Sequence, residues 1–475
     1  MRYLRKSEPV LYICIYGMIK LNVLISPLPL YKSALRMANK IAFDHQKGFV
    51  TSWDQQTYWE FAKDVPNIIK SISKDPKSYV FSPYVLRELR LKNKTRKIFI
   101  STWADRLVES TLASGLATAF SKRSSRRSYA YRPDGIGLND CQNHFARHVS
   151  DYTYFSKMDV EAYFYTIDHE LLIDKLNNVL PPEIMVLLLE RIKFAFYNNE
   201  NRLERSTVGV PFGSPLACVF ANYFFDDIDK VMERLSPDIL YYRYADDILI
   251  AAKSNVKLKT ASDLFKDLVA KHKLGLNHKK CFEQTFVSDI SIQKASTVKF
   301  LGLEFGPSGS ARLAVEKRRK IMNIARRCLE SLKTRLKRIT EIDKRLEAII
   351  NTLNDTLLKR IRYAAIIDYY LNHVTDEAQL RTMDLDLAKM VLSTIFQRPF
   401  RNKLFSEVSF KRLRQFGLIS FVHRSRLLKH GQIRVPFLSM FNRILIERHL
   451  DRNKRHADRI NRMRLARKCR MIDKI

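Results

Sequence analysis

Apolar residues follow two different patterns along the chain. Apolar side chains recur at helical spacing between residues 105 and 120, which predicts a helix there. From residue 152 onward, short apolar runs alternate with amphipathic stretches, which predicts strands separated by helices. The expected strands are 152–160, 205–210 (a strand or a turn), 239–244, 248–252 and 297–305, and the expected helices are 168–179, 182–196, 215–235 and 257–274. This order is typical of an α+β fold in which helices cover one face of a mainly antiparallel sheet.

The flanking regions follow other patterns. Residues 31–90 contain Pro66, Pro76 and Pro83, which predicts short helices broken near those prolines. After residue 316 the strand signals fade and charged helices take over. Residues 316–345 carry twelve Lys/Arg against four Asp/Glu, and the last 25 residues carry ten against three. Each run alone is typical of a solvated helix face, but two runs of one sign favour a surface that faces nucleic acid.

The charge balance indicates the class of partner. The chain has 475 residues, 46% of them hydrophobic, and a formal net charge of +35. This apolar content excludes intrinsic disorder as the reason for the charge. A folded protein so rich in Lys and Arg favours a polyanion, because neutralised phosphates release condensed counterions. Nucleic acid is therefore favoured over an anionic membrane surface, and no membrane partner is expected.

Two features bear on location. The apolar run at residues 10–19 is shorter than the roughly 20 residues that cross a bilayer, and no small-residue cleavage site is evident. A packing or recruitment element is favoured over a signal peptide, and Met18 is an alternative start. The six cysteines lie far apart, without a CxxC pair. This favours a reducing, cytoplasmic location and argues against structural zinc.

The most specific chemical signal is the pair Asp246 and Asp247 between two predicted apolar strands. Adjacent carboxylates repel each other and are costly to desolvate unless cations neutralise them. Asp159, at the end of another predicted strand, supplies a third carboxylate, and such a set can hold two Mg²⁺ ions roughly 3.5–4 Å apart. Because side chains alternate along a strand, we expect Asp246 to be the ligand and Asp247 to lie farther away. Alone, an Asp-Asp pair is more typical of an exposed turn.

Further motifs surround these carboxylates in a fixed order. They occupy residues 96–98 with 105–106, and then 131–133, 159–169, 209–217, 244–247 (Tyr-Ala-Asp-Asp), 275–280 and 300–302. Together they resemble the reverse transcriptases over roughly residues 90–310. The upstream motifs resemble the bacterial branch that includes retron, group II intron-like and antiphage defence-associated enzymes.

The resemblance implies a right-hand polymerase, with an antiparallel-sheet palm, fingers and a helical thumb. We expect an N-terminal helical extension at residues 1–90, fingers at 91–150 and the palm at 151–310. Residues 311–475 would form the helical thumb and a basic helical C-terminal extension.

The resemblance also implies roles for individual residues. Asp159, the backbone carbonyl of Val160, and Asp246 would bind metal, with Asp247 in support, and Lys280 would protonate pyrophosphate, although Lys279 is adjacent. Phe164 would exclude the ribose 2′-hydroxyl, with ordinary core packing as its alternative. The turn at residues 300–302 would hold the primer end. The residues expected to contact the triphosphate are Arg132 and one of Arg96 or Lys97, with a generic basic surface as the alternative.

The implied activity is RNA-directed DNA synthesis from dNTPs with two Mg²⁺ ions, for which Mn²⁺ would substitute. Expected partners are an RNA template or a dedicated noncoding RNA, the nascent DNA, and a second copy of the chain or an accessory defence protein. Antiphage defence is the expected setting. The alternatives are template-independent or protein-primed synthesis by the same palm, and a non-catalytic nucleic-acid scaffold.

One residue departs from the motif. Phe212 stands between Pro211 and Gly213, where many relatives carry Gln. A phenyl ring cannot donate or accept the hydrogen bonds of an amide, but it can stack on a base or pack against the helix that follows. If the loss matters, we expect less strictly templated DNA. The alternative is compensation by a nearby side chain.

Overall fold

The computed structural model describes residues 20–44, 58–91, 94–133 and 135–433. It contains two compact units: the first comprises the described residues up to Phe145 together with Asp151–Lys294, and the second comprises Ala146–Ser150 and the described residues from Ala295 onward. The apolar run at 10–19 and the basic last 25 residues lie outside the described ranges. The predicted domain boundaries stay predictions.

A five-stranded sheet forms the centre of the first unit. Its order is β6–β7–β3–β8–β9, and all neighbours are antiparallel except β8 and β9. The strands are β3 (Tyr154–Asp159), β6 (Ile239–Tyr244), β7 (Asp247–Ala252), β8 (Phe282–Thr285) and β9 (Gln293–Lys294). Strand β7 is apolar and buried after its first residue because helices pack on this sheet. The predicted α+β class and the 239–252 hairpin are confirmed.

A second sheet in the first unit has the order β2–β1–β4–β5. Its strands are β1 (Tyr84–Leu91), β2 (Lys94–Ile100), β4 (Ala195–Tyr197) and β5 (Leu203–Arg205). The helices of this unit are α1 (Leu21–Leu24), α2 (Pro27–Asp44), α3 (Tyr58–Lys74), α4 (Trp103–Ser121), α5 (Leu138–His148), α6 (Tyr163–Thr166), α7 (His169–Asn177), α8 (Pro182–Ile192), α9 (Pro215–Glu233) and α10 (Asn255–Lys271). Helix α5 runs from the first unit into the segment that belongs to the second.

Three sequence predictions in these regions are wrong. Residues 84–91 form strand β1 rather than helix, because they pair with β2 along their whole length. Pro66 does not break α3, because burial of Phe61, Val65 and Ile69 offsets the roughly 3 kcal/mol cost of an internal proline. Helix α8 ends at Ile192 rather than at residue 196, because residues 195–197 join the second sheet.

The second unit is mostly helical. It contains a small antiparallel sheet of β10 (Val298–Phe300), β11 (Leu303–Phe305) and β12 (Ala311–Leu313). Its helices are α11 (Val315–Leu336), α12 (Ile342–Asn354), α13 (Ile361–His373), α14 (Glu377–Ile395), α15 (Leu404–Glu407), α16 (Phe410–Gln415) and α17 (Phe421–Lys429). A π-helical segment, Asp355–Lys359, lies between α12 and α13. The predicted change to helices after residue 316 is confirmed over the described part of this region.

The predicted strand 297–305 is instead a hairpin of β10 and β11. Leu301 and Gly302 adopt φ values of +50° and +86°, which reverse the chain. A Cβ at Gly302 would lie 2.8 Å from the Lys317 side chain and 2.9 Å from the Tyr370 hydroxyl, and the positive φ is the main reason that glycine is favoured here. The expected turn at residues 300–302 is therefore present. Among the described helices, none has both the length and the apolar character needed to cross a membrane.

Candidate active site

Strand pairing brings the predicted carboxylates together at one end of two neighbouring strands, β3 and β7, of the five-stranded sheet; we call this end the acidic edge. Asp159 is the direct partner of Asp247 in the β3–β7 ladder, and Tyr244 pairs with Asp247 across the β6–β7 hairpin. The turn consists of Ala245, at φ +59°, and Asp246. The N–H of Val160 donates to the backbone carbonyl of Asp246 over 3.4 Å. The backbones of the two acidic motifs are therefore hydrogen-bonded to each other.

Lys280 is brought to Asp159 by the backbone. The N–H of Asn277 donates to the carbonyl of Asp159 over 2.8 Å, which sets the short helical turn His278–Lys280 beside β3. The ammonium of Lys280 then lies 2.7 and 2.8 Å from the two carboxylate oxygens of Asp159. Burial lowers the pKa of Lys280, but its hydrogen bonds and attraction to Asp159 outweigh this and raise it. The group therefore holds its proton next to the acidic edge.

The two adjacent carboxylates have different surroundings: Asp246 lies in the turn, and Asp247 is the first residue of β7. Asp247 forms an ion pair with Lys157 over 3.2 Å. Asp246 is half-buried, and burial followed by repulsion from Asp159 and Asp247 raises the pKa of its carboxyl. A cation beside Asp246 would relieve this repulsion.

Within the described ranges, no group of three or more His, Cys, Asp or Glu side chains is already gathered around one point as metal ligands. The ammonium groups of Lys280 and Lys157 neutralise Asp159 and Asp247 instead. The available donors are carboxylate and backbone carbonyl oxygens, which are the ligands that Mg²⁺ and Mn²⁺ prefer. The donor chemistry fits such an ion, and binding it would require Lys280 to release Asp159.

A buried ion pair lies directly behind the acidic turn. Arg243, 1% exposed, donates from Nε to Asp229 over 2.8 Å and from Nη1 to the carbonyl of Ala245 over 3.3 Å. The hydroxyl of Tyr241 donates to the same Asp229 carboxylate over 2.7 Å. The hydrogen bond from Arg243 to the Ala245 carbonyl holds this positive-φ residue of the turn from the protein interior. Sequence reasoning missed Arg243, although an Arg inside an apolar strand next to an acidic pair is a usable signal.

The guanidinium of Arg243 also holds the backbone segment that precedes Tyr131. Its Nη2 donates to Ser128 Oγ over 2.7 Å and to Asn222 Oδ1 over 2.8 Å. The backbone of Ser128 runs parallel to Arg243, with the N–H of Tyr129 donating to the carbonyl of Arg243 over 3.0 Å. Arg243 thus links the acidic turn to the loop that follows α4.

Phe164 and Phe212 are in contact. Their ring centroids lie 5.2 Å apart in a T-shaped arrangement, and Tyr131 contacts Phe164 at 6.2 Å. Both phenylalanines are half-buried. Phe212 therefore packs against a ring of the first acidic motif, while its exposed fraction leaves stacking on a base available.

Arg96 and Lys97 are exposed on β2 beside this ring cluster. The guanidinium of Arg96 lies over the Phe212 ring, 5.8 Å from its centroid, and the hydroxyl of Tyr165 donates to the carbonyl of Lys97 over 2.7 Å. The structure thus places Arg96, one of the two alternatives for the triphosphate-binding residue, next to Phe212. The side chains of Arg96 and Lys97 remain accessible to an anion.

Arg132 is placed differently from the expectation. Its guanidinium donates to the carbonyls of Ser121, Ser125 and Ser128 over 3.2, 2.8 and 3.4 Å. These bonds cap the chain after α4 and organise the basic loop. A role at the triphosphate stays a prediction, and it would require some of these bonds to be exchanged.

The segment from Phe212 to Ser214 is fixed by a second buried network. The N–H of Phe99 donates to the carbonyl of Phe212 over 2.9 Å, and Ser214 donates to Glu109 over 2.9 Å. Glu109 in turn pairs with the buried Arg191 over 2.9 Å. Sequence reasoning did not single out either member of this pair.

Residues 76–305 match the family profile described as "Reverse transcriptase (RNA-dependent DNA polymerase)". Residues 76–305 form a reverse transcriptase domain. The right-hand polymerase fold expected from the sequence is confirmed with it, and reverse transcriptase domains generally use divalent metal ions.

Two curated relatives are similar to part of this chain. The chain is 24% identical over 172 residues to the "Putative COX1/OXI3 intron 2 protein" of Saccharomyces cerevisiae, covering 35% of this chain and 20% of that protein. It is 24% identical over 177 residues to the "Uncharacterized 91 kDa protein in cob intron" of Schizosaccharomyces pombe, covering 37% and 22%. The matched part thus spans about a fifth of each relative.

Solved structures with some similarity include two telomerases. Apo telomerase from Candida tropicalis, truncated from its C-terminal domain, is 14% identical with a TM-score of 0.40, covering 56% of this chain and 63% of that chain. Telomerase from Candida albicans with a fragment of telomeric RNA is 11% identical with a TM-score of 0.42, covering 80% and 69%.

Proposed function

We propose that the protein is an RNA-directed DNA polymerase that adds dNTPs to a 3′-hydroxyl. The observation that carries this proposal is the pairing of Asp159 with Asp247 beside Asp246 at one sheet edge, within a reverse transcriptase domain. Burial and repulsion from Asp159 and Asp247 raise the pKa of the Asp246 carboxyl, and a divalent cation would relieve that repulsion.

Asp159, Asp246 and the carbonyl of Val160 would hold two Mg²⁺ ions, or Mn²⁺ in their place, with Asp247 in support. When bound, such ions supply charge stabilisation for a phosphoryl transfer and lower the pKa of a coordinated hydroxyl. Asp159 is buried and paired with Lys280, so metal binding would move the Lys280 ammonium away from its oxygens.

The remaining residues act directly on the substrates. Lys280 carries a proton at Nζ and is the candidate donor to the leaving pyrophosphate. One of Arg96 or Lys97 would present an accessible cationic group to the triphosphate, for which the guanidinium fork of Arg96 is well shaped. Phe164, backed by Phe212, would lie against the sugar and exclude a 2′-hydroxyl.

The experiment is primer extension on a defined RNA template with dNTPs and Mg²⁺. We expect incorporation by the wild type and none by Asp246→Asn. A wild type that binds RNA tightly but never extends a DNA primer, an RNA primer or its own hydroxyls, with either Mg²⁺ or Mn²⁺, would leave the non-catalytic scaffold as the function.

Template-independent or protein-primed synthesis is the second candidate. The observation in its favour is Phe212, which has no amide to bond the nascent base pair or template and is packed on Phe164. Products made without any added primer, covalently attached to the protein and unrelated to the template sequence, would support it. Complementary, primer-linked products would support templated synthesis.

For the biological setting, we propose a bacterial enzyme that works with a dedicated noncoding RNA in antiphage defence. The support is the resemblance of the upstream motifs to that branch. The named relatives are intron proteins of two yeasts, so an intron-associated reverse transcriptase is the competing proposal. Sequencing the RNA that copurifies with the protein distinguishes a compact noncoding RNA from a host intron.

A further inference from the structure

An aromatic and basic loop lies in the second unit, some ninety residues beyond the reverse transcriptase domain. Residues 396–405 follow α14 and extend into the first two residues of α15. Three phenylalanines and three basic residues are interspersed there, in chain order Phe396, Arg398, Phe400, Arg401, Lys403 and Phe405. We call this segment the 396–405 loop.

The loop is held by its own hydrogen bonds. Ser393 Oγ donates to the carbonyl of Arg398 over 2.7 Å, and the N–H of Leu404 donates to the carbonyl of Arg401 over 2.9 Å. Gln397 adopts φ +52°, a conformation that non-glycine residues rarely take. Such backbone geometry persists where the surroundings fix it, so the loop is pre-organised.

Its positive charge is only partly neutralised. Arg398 forms an ion pair with Glu407 and lies over the Phe396 ring, 5.2 Å from the centroid. Arg401 and Lys403 are exposed, and neither has an ion pair with any carboxylate in the described part of the chain. Two cationic side chains are thus free to bind an anion.

A cavity lies beside these cations, and an aromatic side chain is adjacent to it. A cavity of about 410 Å³ is lined by Arg398, Pro399, Arg401, Lys403, Leu404 and Glu407. Phe400 is half-exposed next to it, contacts Phe405 at 5.5 Å, and has the ammonium of Lys389 5.7 Å from its ring centroid. The volume lies in the range of roughly 300–1,000 Å³ typical of small-ligand sites.

We propose that the 396–405 loop binds single-stranded nucleic acid. Arg401 and Lys403 contact two backbone phosphates, and a base stacks on Phe400. Accessible rings beside cations are the elements that recognise unpaired strands, because a base in a duplex cannot expose its face. The strand is RNA or DNA, which share this chemistry, and binding at the loop does not depend on polymerase activity.

Salt dependence tests the phosphate contacts. The affinity of the full chain for fluorescent oligo(U) and oligo(dT) is measured by anisotropy against KCl concentration. Arg401→Gln with Lys403→Gln should reduce the slope of log affinity against log salt by about 1.4, since each single-strand phosphate contributes about 0.7. The matched control, Lys344→Gln with Lys359→Gln, removes two exposed cations that already pair with Glu341 and Asp355. Equal slopes for the two double variants would overturn the proposal.

A second pair of variants tests stacking. Phe400→Leu should weaken binding of whichever strand occupies the loop by roughly 5- to 150-fold, the range for losing one stacked base. Its control is Phe410→Leu, because Phe410 is also partly exposed with a guanidinium, that of Arg414, over its ring at 4.8 Å. Thermal denaturation confirms that both variants fold. Unchanged affinity of Phe400→Leu, or an equal loss of duplex RNA binding, would refute a single-strand site.

Loss of oligo(U) binding alone assigns the loop to RNA, and loss of oligo(dT) binding alone assigns it to the DNA strand. Either result supports the site. An acidic peptide that binds the wild type but not the loop variants, while both oligonucleotides bind all of them equally, would replace nucleic acid with a protein partner and overturn the proposal. The readout is binding, so it is interpretable even if no DNA synthesis is found.

Discussion

The acidic hairpin around Asp246 and the 396–405 loop differ in charge and in how they are built. The hairpin turn is held from the interior by Arg243, which is 1% exposed and paired with Asp229. The loop is held by short-range hydrogen bonds, and its cations Arg401 and Lys403 lie in solvent. A reacting centre needs carboxylates at fixed positions, whereas a polyanion needs only accessible charge. We therefore expect the two regions to control rate and affinity separately.

The largest expected effect is that of Asp246→Asn. It should reduce nucleotide incorporation by about 10³-fold or more, the scale of losing one pre-organised electrostatic group. Template affinity should stay within about twofold, because phosphate contacts dominate binding. Single-turnover primer extension and filter binding measure the two quantities. Asp238→Asn, at the far end of the same hairpin and paired with Lys257, is the control. A parallel loss of RNA affinity would break the separation of rate from affinity.

Arg243→Met should have the next largest effect. Removing one partner of a buried ion pair should lower the free energy of unfolding by about 3–5 kcal/mol, as measured by chemical denaturation. The double variant Arg243→Met with Asp229→Leu should recover most of that stability, because no charge is left buried and unpaired. Its incorporation rate should remain about 10²-fold low, since the Ala245 carbonyl is no longer held. Recovery of rate together with stability would assign Arg243 a purely structural role.

Discrimination between dNTPs and rNTPs tests the proposed role of Phe164 beside the carboxylates. Phe164→Ala should raise the use of rNTPs relative to dNTPs on the order of 10²-fold, and Phe212→Leu, which loses only the supporting ring, about tenfold. The ratio of kcat/KM for matched nucleotides measures this. Tyr165→Phe keeps its ring and should leave the ratio unchanged. If Phe164→Ala also leaves it unchanged, Phe164 serves only to pack the core.

The smallest expected effect concerns copying. Phe212→Gln restores an amide next to Phe164 and should reduce untemplated or repetitive products by a few fold at most. The products from a heteropolymeric RNA are sequenced for the wild type and the variant. Faithful full-length copies from the wild type, with no gain in the variant, would show that other side chains compensate for the missing amide.

Local patterns accounted for much of the first unit. The hairpin of β6 and β7 followed from two apolar runs around an acidic pair, and α9 followed from its helical period. Strand β1 could not be predicted, because its conformation depends on pairing with β2 rather than on its own period. The hydrogen bonds of Arg132 could not be predicted either, because the sequence around an Arg in a loop does not specify which backbone carbonyls it will contact.

The sequence by itself determined the α+β order of elements and the excess positive charge, and it indicated three candidate carboxylates, because these depend on residue type and short-range spacing. Only the tertiary structure decided that Lys280 and Lys157 neutralise two of those carboxylates, that Arg243 supports the turn from inside, and that Phe212 packs on Phe164. Each of these contacts joins residues from different strands or loops. Their energies depend on burial and on distances of a few ångströms, which no local pattern specifies.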